Sequence, residues 1–311
     1  MTSHTNRRHF FKLAALGAAA PLVPPQVRAM PEPYERKSTV GLRIGLAAYS
    51  FLKYFPVVQG RKNPEVPEAQ KMSPARFIRF CAEQGCGGAE LTSYIFDDSV
   101  SARELSELRL LAHQLGVEVS GTAIGNNFTY SKGSKERAEQ IKYTKLWIDH
   151  ASVMGAPHIR VFAGVAPQGM SEKEAEVNVR EAVEEVVDYA ADKGIMLGIE
   201  NHDYTTGTAS KLLSLVKSID SPWLGVNLDT ANFRVEDPYP EIEACVPYAL
   251  NVQIKARIKH GGPRPTDFER IGRILKEGGY RGYVVLEYEE PENPYEKVPE
   301  LLGKLREFCD G

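Results

Sequence analysis

Four side chains with oxygen donors each close an apolar run and precede a polar loop: Glu200 in GIMLGIEN, Asp229 in LGVNLDT, Gln253 in ALNVQIK and Glu287 in GYVVLEYE. A carboxylate held at the mouth of a buried strand is costly unless something positive compensates it. Four such oxygens, brought by consecutive strands to one end of a sheet, describe a site for a hard divalent cation. That arrangement points to an enzyme and places its active site.

Positioning them requires parallel strands that all end on the same side. Short apolar runs alternate with longer amphipathic ones eight times; the strands are expected at 43–48, 87–92, 117–122, 157–163, 195–200, 223–229, 249–255 and 281–287. Between them, Leu105, Leu108, Ala112 and Leu115 form one helical stripe. Ala175, Val179, Ala182, Val183, Val186, Val187 and Ala190 form a longer one. Ser171 to Glu174 reads as a capping box before the longer stripe, and Lys193-Gly194 ends it. The last helix carries Val298, Leu301, Leu302, Leu305 and Phe308, and the 237–247 segment is short and broken by prolines. Continuous rather than alternating apolarity in eight strands predicts a closed parallel barrel, a single-domain (β/α)8 TIM barrel over 41–311. A doubly wound open sheet gives no reason for polar strand ends on so many strands.

Alternation along a strand brings further side chains to the same face. His202 lies two residues beyond Glu200, and Lys255 two beyond Gln253. His202 is read as binding substrate or orienting a ligand, or as a satisfied structural histidine. Lys255 is read as an electrostatic partner for a substrate oxygen, or as neutralising the acids. Glu90, at the end of strand two, and Arg160, on strand four, either pair with one another or bind hydroxyls. Tyr49 ends strand one and opens a long loop, 50–72, with Phe51, Tyr54 and Phe55. That loop is either an aromatic lid over the substrate or a packed surface excursion. The loop ARIKHGGPRPT after strand seven carries Arg257, Lys259, His260 and Arg264, a phosphate cradle or a solvated basic loop.

Taken in order, Glu200, Asp229 and Glu287, with ENH at 200–202, NLDTAN at 227–232 and QIK at 253–255, resemble the xylose isomerase-like barrels, the sugar isomerase and epimerase family. The resemblance covers the whole mature chain. It implies metal ligands Glu, Asp, His and Glu on strands five to eight, hence Glu200, Asp229, Gln253 and Glu287 here. The strand-seven pattern HxKD is replaced by Gln253-Ile254-Lys255-Ala256, so the expected cation is Mn²⁺ or Mg²⁺, with Zn²⁺ admissible. As a plain alternative, Gln253 is a wall residue that only hydrogen-bonds, and the acids only make ion pairs. A metal chelating a sugar carbonyl and its neighbouring hydroxyl acidifies the shared C–H and stabilises the enediolate. By resemblance, Glu200 and Glu287 are the catalytic proton-transfer pair and Asp229 is a ligand. The implied activity is isomerisation or epimerisation of a ketose, small keto-sugar or keto-acid such as hydroxypyruvate. Alternatives are a 3-keto-sugar or 3-keto-glycoside lyase or dehydratase, and a non-catalytic sugar-binding derivative. The DNA-repair branch of this barrel needs several histidines at strand ends, and only His202 qualifies. Dimers or tetramers are common in the resembling family, so a homo-oligomer is expected.

The rest of the composition fits an exported small-molecule enzyme. Arg7, Arg8, Lys12 and Arg28 are the only charges in residues 1–29; removing their four positive charges from the formal −3 leaves −7. So acidic a body does not suit nucleic acid. TNRRHFFK, then LAALGAAAPLV and VRA, reads as a twin-arginine signal peptide over 1–29, read by the twin-arginine translocation machinery and implying a periplasmic or exported protein. Its apolar run is too short for a permanent membrane span. Residues 30–40 read as a linker. Cys81, Cys86, Cys245 and Cys309 make no CxxC and read as buried thiols.

Overall fold

A computed structural model describes residues 32–37, 41–63 and 66–309, so the proposed signal peptide lies outside the described residues. Eight strands follow one another as β1 (Arg43–Ala47), β2 (Gly88–Thr92), β3 (Glu118–Ala123), β4 (His158–Val161), β5 (Met196–Glu200), β6 (Leu224–Asp229), β7 (Ala249–Ile254) and β8 (Tyr283–Leu286). Each pairs in parallel with its chain neighbours, and β8 closes onto β1. The helices between and after them are α1 (Pro74–Glu83), α2 (Ala102–Gln114), α3 (Lys135–Met154), α4 (Glu172–Asp192), α5 (Ala209–Lys217), α6 (Tyr239–Cys245), α7 (Phe268–Glu277) and α8 (Pro294–Cys309). The fold is the single-domain (β/α)8 barrel expected.

The apolar core lies between barrel and helices. All seven stripe residues of α4 and all five of α8 are buried, and all of them but Ala175 belong to that core. The Ser171 capping box forms in both directions, and Lys193 caps the other end of α4. The α2 stripe holds for Leu105 and Ala112, but Leu115 lies at the C-cap, where the helix has turned it outward to 36% exposure. The proline-broken 237–247 segment still winds into α6, because Pro238 and Pro240 sit in its first turn, where no amide donor is missed. All four cysteines are free and buried.

The barrel's lumen is unusually polar. Glu90, His158, Arg160, Asn227, Asn251 and Gln253 are buried there, beside a small apolar group of Ala47, Tyr283 and Val285. Branched aliphatics usually fill that space.

Two expectations need correction. Tyr49 does not end a strand: β1 stops at Ala47, and Tyr49 belongs to a 3-10 segment, Ala48–Tyr54. The loop beyond it is no aromatic lid, because Phe51 and Phe55 are fully buried, Phe51 packing at 5.0 Å from both Phe80 and Tyr295. Residues 32–37, whose composition reads as a linker, lie against the N-terminal ends of β6 and β7. There the Tyr34 amide donates to the Pro247 carbonyl (2.9 Å), its hydroxyl to Leu224 (3.3 Å), and Arg36 to Ala249. Gly225 makes room for this, since a Cβ there would meet the Tyr34 hydroxyl at 2.7 Å.

Candidate functional site

Strand register decides which side chains meet. Asp229 is level with Gln253, and Gln253 with Val285, so Glu287 stands two residues above Gln253's level, beside Lys255. Glu200 is level with Asn227, two residues below Asp229 along β6. Glu200, Asp229, Lys255 and Glu287 are all nearly inaccessible to solvent and lie at the C-terminal rim.

Two cations reach into this acid group. Lys255 Nζ lies 2.8 Å from Glu287 Oε2, 3.3 Å from Asp229 Oδ2 and 2.6 Å from Glu289 Oε1. Arg160 Nε lies 2.9 Å from Glu200 Oε2, its Nη1 donates to the Ile124 carbonyl (2.7 Å), and its plane stacks 4.0 Å from the Phe162 ring centre. Burial works against charge on both cations, but the carboxylates around each outweigh it and hold both well above their ordinary range. Lys255 is therefore an ammonium, not a free amine. Burial raises Asp229 and Glu287 despite Lys255, whereas Lys255 and Lys259 hold the more open Glu289 down at about 2 against its own burial.

Residues just after β5 and β6 fix the acids of both strands, largely across to the neighbouring strand. Asn232 donates to Glu200 Oε1 (2.9 Å), and the Ala231 amide to Asp229 Oδ1 (2.8 Å). Asn201 clasps the Asp229 backbone from both sides: its Oδ1 accepts from the Asp229 amide and its Nδ2 donates to the carbonyl, both at 2.8 Å.

Beneath this rim lies a second layer. Gln253 Nε2 donates to Glu90 Oε1 and Asn251 Nδ2 to Glu90 Oε2, each at 2.6 Å. Asn227 Nδ2 donates to Gln253 Oε1 at 2.6 Å, and Asn227 Oδ1 accepts from Asn251 at 3.0 Å. The Asn227 amide nitrogen, which can only donate, faces Gln253 Oε1 and so fixes the direction of the Gln253 amide. Glu90 is thus in the middle of β2 rather than at its end, next to a register shift between Ala89 and Glu90. It forms no ion pair with Arg160, whose ionic partner is Glu200. Burial, with Glu287 nearby, pushes Glu90 up to about 7.

Above the rim a cavity of about 640 Å³ is lined by Tyr49, Asn63, His202, Lys259, Tyr288 and Glu289 among others. His202 stacks on Phe162 (ring centres 4.4 Å apart), and its Nδ1 lies 3.0 Å from Asp203 Oδ1; it touches none of the rim acids. Tyr49 lies with its ring centre 6.0 Å from Lys255 Nζ. The basic loop after β7 spends its charge locally: Arg264 binds the His260, Gly262 and Glu236 carbonyls, and Lys259 binds Glu289.

These residues do not fit a divalent cation as they stand. Gln253 uses both ends of its amide on the layer below, and each rim carboxylate already has a buried organic cation against it. Among the described residues no three His, Cys, Asp or Glu side chains are grouped to hold a metal ion. Sequence reading also missed Asn201, Asn232, Asn227, Asn251 and Glu289. The alternation that singled out His202 and Lys255 reaches three of them: Asn227, Asn251 and Glu289 lie two residues from Asp229, Gln253 and Glu287.

Comparison with known proteins agrees with the barrel fold. The family described as xylose isomerase-like TIM barrel matches residues 78–307. A 3-oxo-isoapionate decarboxylase of Pectobacterium atrosepticum is 26% identical over 217 residues, 69% of this chain and 68% of that protein. An L-ribulose-5-phosphate 3-epimerase of Salmonella heidelberg is 25% identical over 241 residues, 71% of this chain and 84% of that protein. A solved D-psicose 3-epimerase, crystallised with D-fructose, superposes with a TM-score of 0.69 at 18% identity, covering 87% of this chain and all of that one. The 3-keto-D-glucoside 4-epimerase of E. coli does so at 0.66 and 16%, covering 86% and 99%. At such identities the solved structures speak to fold alone.

Proposed function

The chain belongs to the xylose isomerase-like TIM barrel family, and we propose that it is a sugar isomerase or epimerase that moves a proton next to the carbonyl of a ketose or related keto-sugar. The observation that carries this reading is the pair of buried glutamates, Glu200 and Glu287, three strands apart around the rim, with a fixed positive charge against each. A C–H beside a carbonyl becomes acidic when the incipient oxyanion meets a preorganised cation, and a desolvated carboxylate is a stronger base than one in water. Two carboxylates on different strands can serve opposite faces of one carbon, or two adjacent carbons. The first outcome is epimerisation and the second is isomerisation.

The relatives named for 3-epimerases support the reading. Arg264 is already engaged by the backbone carbonyls of His260 and Glu236, which favours an unphosphorylated sugar. The signal-like N-terminus supports export by the twin-arginine route, hence a substrate met outside the cytoplasm.

The test is proton NMR of a ketose panel in heavy water. Deuterium should enter the carbon beside the carbonyl, and Glu200→Gln and Glu287→Gln should each stop it. Undiminished exchange in both variants would refute the assignment. A second reading, cleavage of a 3-keto-sugar, rests on the Lys255 ammonium. The enolate it stabilises also forms when a β-keto acid loses carbon dioxide, and once formed by deprotonation it can expel an alcohol or hydroxide from the β-carbon; one relative is named a decarboxylase. Release of carbon dioxide or of an alcohol distinguishes it.

A further inference from the structure

Building on the proton-transfer reading, we propose that Lys255 and Arg160 replace the divalent cation at this barrel mouth, so that the chain works without a metal and Lys255 itself holds the developing oxyanion. The charges are equivalent. Three rim carboxylates with a divalent ion and a neutral fourth ligand carry one net negative charge. Glu200, Asp229 and Glu287 with Lys255 and Arg160 carry the same. The placement is equivalent too, because Lys255 Nζ stands where the carboxylates of β6 and β8 converge, 3.3 Å from one and 2.8 Å from the other.

A metal ion entering this group would face a buried ammonium at close range in a medium that screens poorly. It would also find no fourth ligand, since the Gln253 amide is anchored to Glu90 and Asn227. The change on β7 is the loss of the His and Asp of the HxKD pattern; Lys255 keeps the pattern's lysine, and here its Nζ reaches the carboxylates of β6 and β8.

Lys255 also has a donor it can release. Its ammonium is within ion-pair reach of Asp229, Glu287 and Glu289 and donates to Glu289 Oε1, and Glu289 is the partner that lines the cavity and is itself 23% exposed. A substrate carbonyl entering from the cavity takes the place of the Glu289 oxygen. One rim glutamate then removes the adjacent proton. The C–H pair becomes the C=C bond, the carbonyl π pair moves to oxygen, and that oxygen accepts from Lys255 Nζ. Reprotonation from a rim glutamate regenerates the carbonyl, and nothing is oxidised overall. Lys255 keeps its proton throughout, so no imine forms.

The experiment uses the chelator-dialysed full protein. Metal content is measured by mass spectrometry and Mn²⁺ binding by electron paramagnetic resonance, for the wild type and Lys255→Met; deuterium exchange into the ketose panel is followed with and without added Mn²⁺. The wild type should carry only substoichiometric metal, show no saturable Mn²⁺ binding and exchange equally well with or without it. Lys255→Met should lose about 100- to 1,000-fold in exchange, as removal of one oxyanion donor does, and should gain saturable Mn²⁺ binding. A stoichiometric Mn²⁺ site in the wild type overturns the proposal, as does exchange abolished by chelation and restored by metal. Failure of Lys255→Met to gain Mn²⁺ binding overturns the role given to Lys255, and so does borohydride trapping of substrate on the wild-type lysine. If Lys255→Met does not fold, the wild-type titration decides alone. If no ketose exchanges under any condition, the functional reading fails while the Mn²⁺ titration still decides whether the site excludes metal.

Discussion

Glu90 offers the most quantitative handle on this site. Its carboxyl is fully enclosed in the lumen and titrates at about 7, against an ordinary 4.5, because burial and the Glu287 charge oppose ionisation more than the Asn251 and Gln253 amides favour it. Between those two values the native chain holds a proton that the unfolded chain has released. Stability from this group is therefore fullest near pH 4.5 and is lost as pH rises through 7. The difference, 7 minus 4.5, is worth roughly 3 kcal/mol at about 1.4 kcal/mol for each pH unit. Glu90→Gln removes the titration while keeping the shape. Urea unfolding followed by fluorescence of Trp147 and Trp223, at intervals from pH 4.5 to 8, gives the unfolding free energy of both proteins. The wild-type value minus the variant value should fall by roughly 3 kcal/mol across that range. Glu287→Gln, in the wild-type background, should move the falling limb to lower pH, because it removes the like charge. A difference that stays flat, or that rises with pH, would show that Glu90 ionises freely in the folded barrel and that the lumen is wetter than its geometry implies.

Other perturbations follow from single contacts. Arg160→Met leaves Glu200 buried without its ionic partner and should cost about 3–5 kcal/mol in urea unfolding; a loss under 1 kcal/mol would mean that Glu200 has found another partner or water. Asn201→Leu removes both bonds to the Asp229 backbone and should cost about 1–3 kcal/mol, with exchange activity falling further than stability because Asp229 loses its seat. Phe51→Ala opens a hole among Phe77, Phe80 and Tyr295 and should cost about 3–5 kcal/mol, without changing which sugar is accepted; a changed substrate preference would restore the lid reading. Replacing Arg7 and Arg8 by Lys should leave the protein in the cytoplasm of cells that otherwise export it, measured by fractionation.

The barrel was readable because its signals are redundant. Eight apolar runs, the α4 and α8 stripes and the Ser171 capping box agree on one topology, and each buries what its spacing predicts. The rim acids were readable for a related reason: a charge ending an apolar run demands an explanation. What answers that charge was harder to see. Lys255 reaches Asp229 and Glu287 across neighbouring strands, and Arg160 on β4 finds Glu200 on β5 rather than Glu90. Such choices depend on register and side-chain reach, which spacing along one chain does not contain. Glu90 was misplaced because β2 runs on to Thr92, which leaves Glu90 in mid-strand, in the ring below the rim. Leu115 and Tyr49 were misjudged at element ends, where a cap or a 3-10 turn takes over from the regular period.

The docking of Tyr34 and Arg36 has a practical meaning for this molecule. Their anchors, Leu224, Pro247 and Ala249, belong to the floor of the barrel, the end away from the acids. A purification handle at the N-terminus is therefore joined to the chain through a segment, 32–37, that is held at the floor of the barrel, opposite the acid group.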